Sequence, residues 1–417
     1  MSLIVMKFGG SSVGTTERMQ RVAKRIADYK EAGHRVVVVV SAMGDTTDDL
    51  IDQSKLLNPN PPAREMDMLL TTGEQISVAL LSMAIHAIGH RAVSFTGWQA
   101  GIRTEAIHGK ARISDISPSR IFEALDAGNA VIVAGFQGMT DDGEITTLGR
   151  GGSDTTAVAL AAAIQADVCE IYTDVDGVYS TDPRVVKCAR KLDEISYDEM
   201  LELANLGAAV LHPRAVEYAK HNNVRLVVRS SFTQNEGTTV KEEAVMEQGV
   251  VVRGIAFDKN VARISILGVE DEPGVLAKVF GALADGGIDV DIIVQSGVLG
   301  GKADFSFTVS KDDQEKATQV VESIRASVPY REVTSEVDLV KVSIVGAGMV
   351  SNPGVAAKMF DVISKLGVSI KMVSTSEIKV SCVIAAEGVQ DVIRGLHTAY
   401  GLDTAEQVFV GGPQDRR

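Results

Sequence analysis

The stretch Thr146–Arg184 reads TTLGRGGSDTTAVALAAAIQADVCEIYTDVDGVYSTDPR. It opens with a Gly-rich turn, LGRGGSD, and passes through Ser153 and Asp154 into an Ala-rich helix. A short apolar strand, VCEIYT, follows and ends in a loop of carboxylates, DVDGVYSTDPR. Glycines ahead of a helix let backbone N–H groups approach a ligand, and a helix N-terminus favours an anion there. A phosphate cradle followed by a strand that ends in carboxylates reads as nucleotide chemistry.

Working outward, the N-terminal LIVMKFGGSSVGT has a continuous apolar run, Leu3–Met6, as in a strand buried on both faces of a parallel sheet. Lys7, Phe8, Gly9 and Gly10 close it, bringing a cation and open backbone amides to one point. A helix follows and stops at Gly33, and Arg35–Val40 (RVVVVV) forms the next buried strand. That strand ends in SAMGDTTDDL, which puts Ser41 and Thr47 at the same sheet edge as Lys7. AREMDMLLTTGEQISVALLSMAIHAIG reads as two helical stretches broken at Thr71–Gly73, with Glu74 opening the second. Ala92–Phe95 and Ala130–Val133 are further strands, and Ile121–Ala127 is a helix between them. Alternation of buried strands and amphipathic helices to about residue 240 predicts a three-layer α/β/α domain with a mostly parallel sheet.

Length and composition bound the rest. A chain of 417 residues has room for two or three domains. It is 45% hydrophobic and 23% charged, and no apolar run looks long enough to span a bilayer. The net charge is −14 with no Lys/Arg cluster, which argues against nucleic acid or an anionic membrane as partner. Cys169, Cys188 and Cys382 form no CxxC, so a reducing cytoplasm is expected and no metal site is assigned. His86 and His90 stand four apart without an evident acidic or Cys partner, so a packing role is expected for both.

KFGGSSV, SAMGDTTD, Gly73–Glu74, TTLGRGGSD, YTDVDGVYSTDPR and VRSSF occur here in the order seen in aspartokinases, and the chain resembles that family over its whole length. Aspartokinases have the amino-acid kinase fold and phosphorylate the side-chain carboxylate of L-aspartate with ATP. The resemblance implies that Lys7 neutralises the transferring phosphoryl group, with Gly9 and Gly10 as backbone donors, and that Asp154 orients Lys7 and helps hold Mg²⁺–ATP. It implies that Arg150 clamps a substrate carboxylate, that Glu74 pairs with the substrate ammonium, and that Ser41, Thr47 and Ser153 are lesser contacts. Phe8, Thr173, Asp174, Tyr179, Asp182 and Arg184 would line the nucleotide. The chemistry suits these residue types, because a carboxylate nucleophile needs positioning and charge neutralisation rather than a base. Many relatives carry lysine in GAKVLHP, whereas this chain has Ala209.

Beyond about residue 241 lies an internal repeat. Pro273, Gly274, Val275, Ala277, Lys278, Phe280 and Gly287 recur at Pro353, Gly354, Val355, Ala357, Lys358, Phe360 and Gly367. Each copy has a βαββαβ plan and resembles an ACT domain, a ferredoxin-like α+β module that binds amino acids. The expected boundaries are 1–240 for the kinase domain, 241–249 for a connector and 260–338 for the first ACT domain, with 250–258 joining 339–411 in the second. GAGMVS (Gly346–Ser351) imitates half of a dinucleotide fingerprint, but its place in the repeat makes it a false positive. Candidate effector residues are Asp271, Asp289, Val290, Asp291 and Gln295 in the first copy and Asn352, Val355, Ser369 and Thr375 in the second. The resemblance implies feedback by an end product, lysine first and threonine beside it. It also implies a homo-oligomer through ACT domains, or an α₂β₂ assembly whose β chain starts at Met246. The alternative from another class is a non-catalytic amino-acid sensor on a kinase scaffold. Lys7, Glu74, Arg150 and Asp154 favour the enzyme, since a scaffold needs none of them.

Overall fold

The computed structural model describes residues 1–206, 210–242 and 251–404. Ala209, Met246, most of the 241–249 connector and the end of the 339–411 segment lie outside the described residues. The chain divides into two compact units. The first holds Met1–Tyr179 and the described part of Arg190–Glu247, and the second holds Ser180–Ala189 and the described part of Gln248–Glu406.

In chain order the first unit has β1 (Leu3–Phe8), α1 (Gly10–Val13), α2 (Thr16–Glu31), β2 (Arg35–Val40), α3 (Thr46–Leu57), α4 (Ala63–Ala87), β3 (Ala92–Phe95), β4 (Ile102–Thr104) and β5 (Ile113–Ile116). It continues with α5 (Ser119–Asp126), β6 (Ala130–Ala134), β7 (Gln137–Met139), β8 (Ile145–Thr147), α6 (Gly152–Ala163), β9 (Val168–Thr173), β10 (Glu194–Ser196), α7 (Tyr197–Asn205), α8 (Pro213–Asn222), β11 (Leu226–Ser230) and β12 (Thr238–Lys241). Eight strands form one sheet in the order β10-β12-β11-β9-β1-β2-β6-β3. Its neighbours are parallel except β11 and β12. A second sheet, β5-β4-β7-β8, has four short strands.

Strand periodicity decides which side of the large sheet each residue of β1 faces. Ile4, Met6 and Phe8 point into a core with Met19, Val22 and Ile26 of α2 and Val78, Leu81 and Ile85 of α4. Lys7 therefore points to the opposite face, where α6 packs against β1 and β9. Val36–Val40 of β2 are all buried, at roughly 1.5–3 kcal/mol for each fully buried side chain. Helix α6 is buried from Gly152 to Ala161, and its small Ala side chains permit that close seat.

Helix α4 corrects one sequence expectation. It runs unbroken through Thr71–Gly73, so Glu74 sits mid-helix and buried rather than at a helix start. The Thr71 and Thr72 hydroxyls donate back to the carbonyls of Met68 and Leu69, and Gly73 serves packing: a Cβ there would fall 2.8 Å from the Ala42 Cβ. The same helix reaches the length and hydropathy of a membrane span, contrary to the reading of the sequence, although half of that window is buried inside the fold. It also carries buried Asp67 and Glu74.

The second unit contains β13 (Gly254–Glu270), α9 (Val275–Asp285), β14 (Ile293–Gln295), β15 (Lys302–Val309), α10 (Gln314–Ser323), β16 (Glu332–Val345), α11 (Val355–Lys365), β17 (Ile370–Thr375), β18 (Lys379–Ala385) and α12 (Val389–Ala399). Its six strands form a single antiparallel sheet, β14-β15-β13-β16-β18-β17. The long strands β13 and β16 run through both repeats. Gly254–Asp258 pairs with Val345–Lys341, and after register shifts Arg263–Leu267 pairs with Glu336–Glu332. The extra strand thus joins the second repeat, beginning at Gly254; Val250 is outside the described residues.

Candidate active site

A closed circuit of contacts surrounds the carboxyl ends of the central strands. The Ser41 N–H donates to the Phe8 carbonyl, and the Gly135 N–H donates to the Val40 carbonyl. Gly135 lies so close to Ser153 that a Cβ would sit 2.7 Å from the Ser153 Oγ. Asp154, next in α6, reaches back to Lys7 at 2.6 Å. This pair joins β1 to the first turn of α6 and is largely buried, at 14% and 12% side-chain exposure. Gly10 lets the loop after β2 close on the circuit, since a Cβ there would fall 2.8 Å from the Ala42 carbonyl oxygen.

Glu74 enters from α4. One carboxylate oxygen accepts the Ala42 N–H at 3.0 Å, and the other is buried without a hydrogen-bond partner among the described residues. Burial raises its pKa to about 7, opposed by the bond from Ala42. A buried carboxylate oxygen with no donor is costly unless a ligand supplies one, and an ammonium group fits that need.

The turn ahead of α6 presents the remaining groups. Gly151 caps the helix in the left-handed conformation, φ 68°, and the Gly152 N–H after it donates back to the Gly149 carbonyl, so the turn closes on itself and presents the positive end of the helix. A side chain at Gly151 would collide with the His212 ring, whose Cγ lies 2.0 Å from an ideal Cβ. Arg150 beside it is exposed and has no ion-pair partner among the described residues. Thr47 lies half-buried in the first turn of α3.

On the β9 side, Phe8 stacks on Tyr172 with centroids 4.5 Å apart, and the Thr173 hydroxyl donates to exposed Asp174. The Tyr179 hydroxyl donates to Asp176, which also accepts from Asn235. Asp182 and Arg184 belong to the second unit, where they form a two-pronged ion pair with each other.

Residues 2–230 match the amino acid kinase family, and residues 262–328 and 342–400 each match an ACT domain. The chain is 55% identical over 402 residues to the aspartokinase of Bacillus sp. (strain MGA3), covering 96% of this chain and 98% of that one. It is 53% identical over 408 residues to the aspartokinase of Thermus thermophilus, covering 97% and 100%. The chain belongs to the aspartokinase family. Among solved structures, E. coli aspartokinase III in complex with aspartate and ADP matches with TM-score 0.81 at 27% identity, covering 95% of this chain and 99% of that one. The same enzyme in complex with lysine and aspartate matches with TM-score 0.74 at 27% identity and the same coverage.

Three residues of this aspartokinase-family site escaped the reading of the sequence. Phe136 follows Gly135 with a left-handed backbone, φ 69°, which is strained for an aromatic residue. Its N–H donates to the Thr156 hydroxyl and its carbonyl accepts from the Leu148 N–H, so it bridges α6 and the LGRGG turn. Only the GF pair after a buried strand hints at it. Asp67 is 1% exposed. It accepts from the Thr147 hydroxyl, the Gly109 N–H and the His108 ring, and so braces the strand leading to Arg150. In sequence it is one more acidic residue on a helix. His212 caps α8 and is kept toward its neutral form, chiefly by burial.

In the second unit Asp271, Asp289, Asp291 and Gln295 are exposed and Val290 is partly buried against the first repeat's core. Asp291 is already paired with the buried ammonium of Lys341, so it is not the open carboxylate that the sequence reading supposed. Asn352, Ser369 and Thr375 are exposed and Val355 is half-buried. Ala347–Ser351 is a short 3₁₀ turn preceded by Gly346. His86 bonds the Ala92 carbonyl, and His90 does have an acidic partner, Glu31.

Proposed function

We propose that this chain transfers the γ-phosphoryl group of ATP to the side-chain carboxylate of L-aspartate, giving 4-phospho-L-aspartate and ADP. The observation that carries this reading is the 2.6 Å Lys7–Asp154 pair with a partnerless oxygen of Glu74 in the same unit. A carboxylate attacking a phosphoryl group is an encounter of two anions, so catalysis is positioning and neutralisation. In this reading Lys7 neutralises the transferring group and Asp154 holds its ammonium in place. The Gly9 and Gly10 amides donate to the phosphate oxygens, and the positive end of α6 offsets their charge. Glu74 takes the substrate ammonium and Arg150 its α-carboxylate, with Ser41, Thr47 and Ser153 around them.

Thr173, Asp174 and Tyr179 line the nucleotide in the same reading. Asp154 and Asp174 supply oxygen donors suited to Mg²⁺, but one carboxylate is engaged by Lys7, so most ligands would come from phosphate and water. The bound cation would supply charge neutralisation at the phosphates. The proposed limits are 1–240 for the kinase domain, 260–338 for the first ACT domain, and 250–258 with 339–411 for the second. The chain is proposed to be a cytoplasmic enzyme that assembles through its ACT domains. Its effector is proposed to be an end-product amino acid, lysine before threonine, held by Asp271 and Asp289.

A coupled ADP-release assay with aspartate, glutamate and N-acetylglutamate tests the reading. Turnover should require aspartate; ADP release with another acceptor, or with none, would refute it.

A further inference from the structure

Three chemically different donors converge in the second unit, outside every group described above. The His397 Nδ1 lies 2.7 Å from an Asp403 carboxylate oxygen, and the same oxygen accepts the Cys188 thiol at 3.2 Å. All three ligand atoms fall within 4.8 Å of one another. The other ring nitrogen of His397 is held by the Ser180 hydroxyl at 2.8 Å. No spacing in the sequence announces this group, because the fold brings Cys188 across to the end of α12. Backbone bonds fix the approach: Ala189 bridges to Asp403, and the Thr404 N–H donates to the Cys188 carbonyl.

We propose that Cys188, His397 and Asp403 form a binding site for a thiophilic divalent cation of the zinc class. A thiolate, an imidazole and a carboxylate are the donor set of a three-ligand zinc site with one position left for water. Zinc bond lengths require tetrahedral edges of roughly 3.3–3.6 Å, so the present 2.7 and 3.2 Å separations need only a small expansion. Asp403 is 37% exposed, which gives an ion and its water a way in, while His397 is fully buried. Ser180 plays the outer partner that orients a ligating imidazole. A thiolate ligand selects against Mg²⁺ and Ca²⁺.

The proton count closes. With a neutral imidazole, the cation takes Nδ1 and the ring proton moves to Nε2, where it donates to the Ser180 oxygen. The thiol proton leaves to solvent as the Cys188–metal bond forms. The occupied site would cross-link Ser180–Ala189 to the end of α12.

The test uses tag-free, full-length protein stripped with a chelator and titrated with Co²⁺. The expected result is a near-ultraviolet thiolate-to-cobalt band saturating at one ion per chain and displaced by Zn²⁺. Cys188→Ser should abolish the band while retaining native circular dichroism. Ser180→Ala should weaken binding by about 10- to 100-fold, and Asp403→Asn by at least as much. Cys169 and Cys382 are fully buried and cannot supply the signal. No charge-transfer band in the wild type, or an unchanged band in Cys188→Ser, would overturn the site.

Discussion

The ammonium of Lys7 lies 2.6 Å from a carboxylate oxygen of Asp154, so the end of β1 and the first turn of α6 meet through a single ion pair. Each residue fixes the other: the carboxylate keeps the flexible lysine stem in one place, and the cation offsets a carboxylate that the sheet has largely desolvated. Lys7→Ala and Asp154→Ala should each lower kcat by about 100- to 1,000-fold, roughly 3–4 kcal/mol of barrier. Steady-state kinetics on variants with unchanged circular dichroism is the check, and near-normal kcat in either would remove the pair from the mechanism.

Glu74 should impose a pH dependence on substrate binding. With its pKa raised to about 7 by burial, the free carboxyl holds a proton below that pH and cannot pair with an ammonium group. The aspartate KM should therefore rise as pH falls through about 7, and Glu74→Gln should raise KM at pH 8 and flatten the profile. A wild-type KM that is level from pH 6 to 8 would contradict this.

The same shift makes a stability statement of the opposite sense. The folded pKa lies above the unfolded value, so the contribution is fully present below about pH 4.5 and is lost as pH rises through about 7. Urea denaturation at pH 8 should find Glu74→Gln more stable than the wild type, with the difference shrinking toward pH 5.

Asp67→Asn should loosen the strand that leads to Arg150, because Thr147, Gly109 and His108 all bond the Asp67 carboxylate. The expected cost is about 1–3 kcal/mol of stability, with the aspartate KM raised and the ATP KM little changed. A loss of stability without any movement in KM would reduce Asp67 to a purely structural role.

In the second unit, Asp289→Ala should weaken lysine inhibition without altering uninhibited turnover. Asp291→Ala should act differently, because it strands the buried Lys341 ammonium and should cost about 1–3 kcal/mol. Dose–response curves beside thermal melts separate the two; equal melts and equal inhibition constants for both variants would reject the distinction.

The strands were legible because a parallel sheet buried on both faces writes itself as RVVVVV and LIVM, and because Gly-rich turns mark where such strands end. Lys7 stood out as a cation at the end of a buried strand, whereas Asp154 and Glu74 took their expected roles from the resemblance to the family. The continuity of α4 was not, since TTG carries the composition of a turn while the fold uses its glycine for close contact with Ala42. Phe136, Asp67 and the partnership of Asp291 with Lys341 depend on contacts between distant segments, which local pattern does not encode. The same holds for Cys188, whose neighbours lie more than two hundred positions along the chain.

The excursion Ser180–Ala189 has a consequence for any shortened form of this protein. The Ser180 carbonyl accepts from the Ile255 N–H, its hydroxyl bonds His397, and the Cys188 carbonyl accepts from the Thr404 N–H. A polypeptide started at Met246 would carry both ACT repeats but not these ten residues. It would expose an amide and an imidazole that the intact chain keeps dry, leaving a vacant groove shaped for a peptide of the sequence STDPRVVKCA. A synthetic peptide of that sequence, supplied in trans, would offer such a fragment the same hydrogen-bond partners that the intact chain supplies in cis.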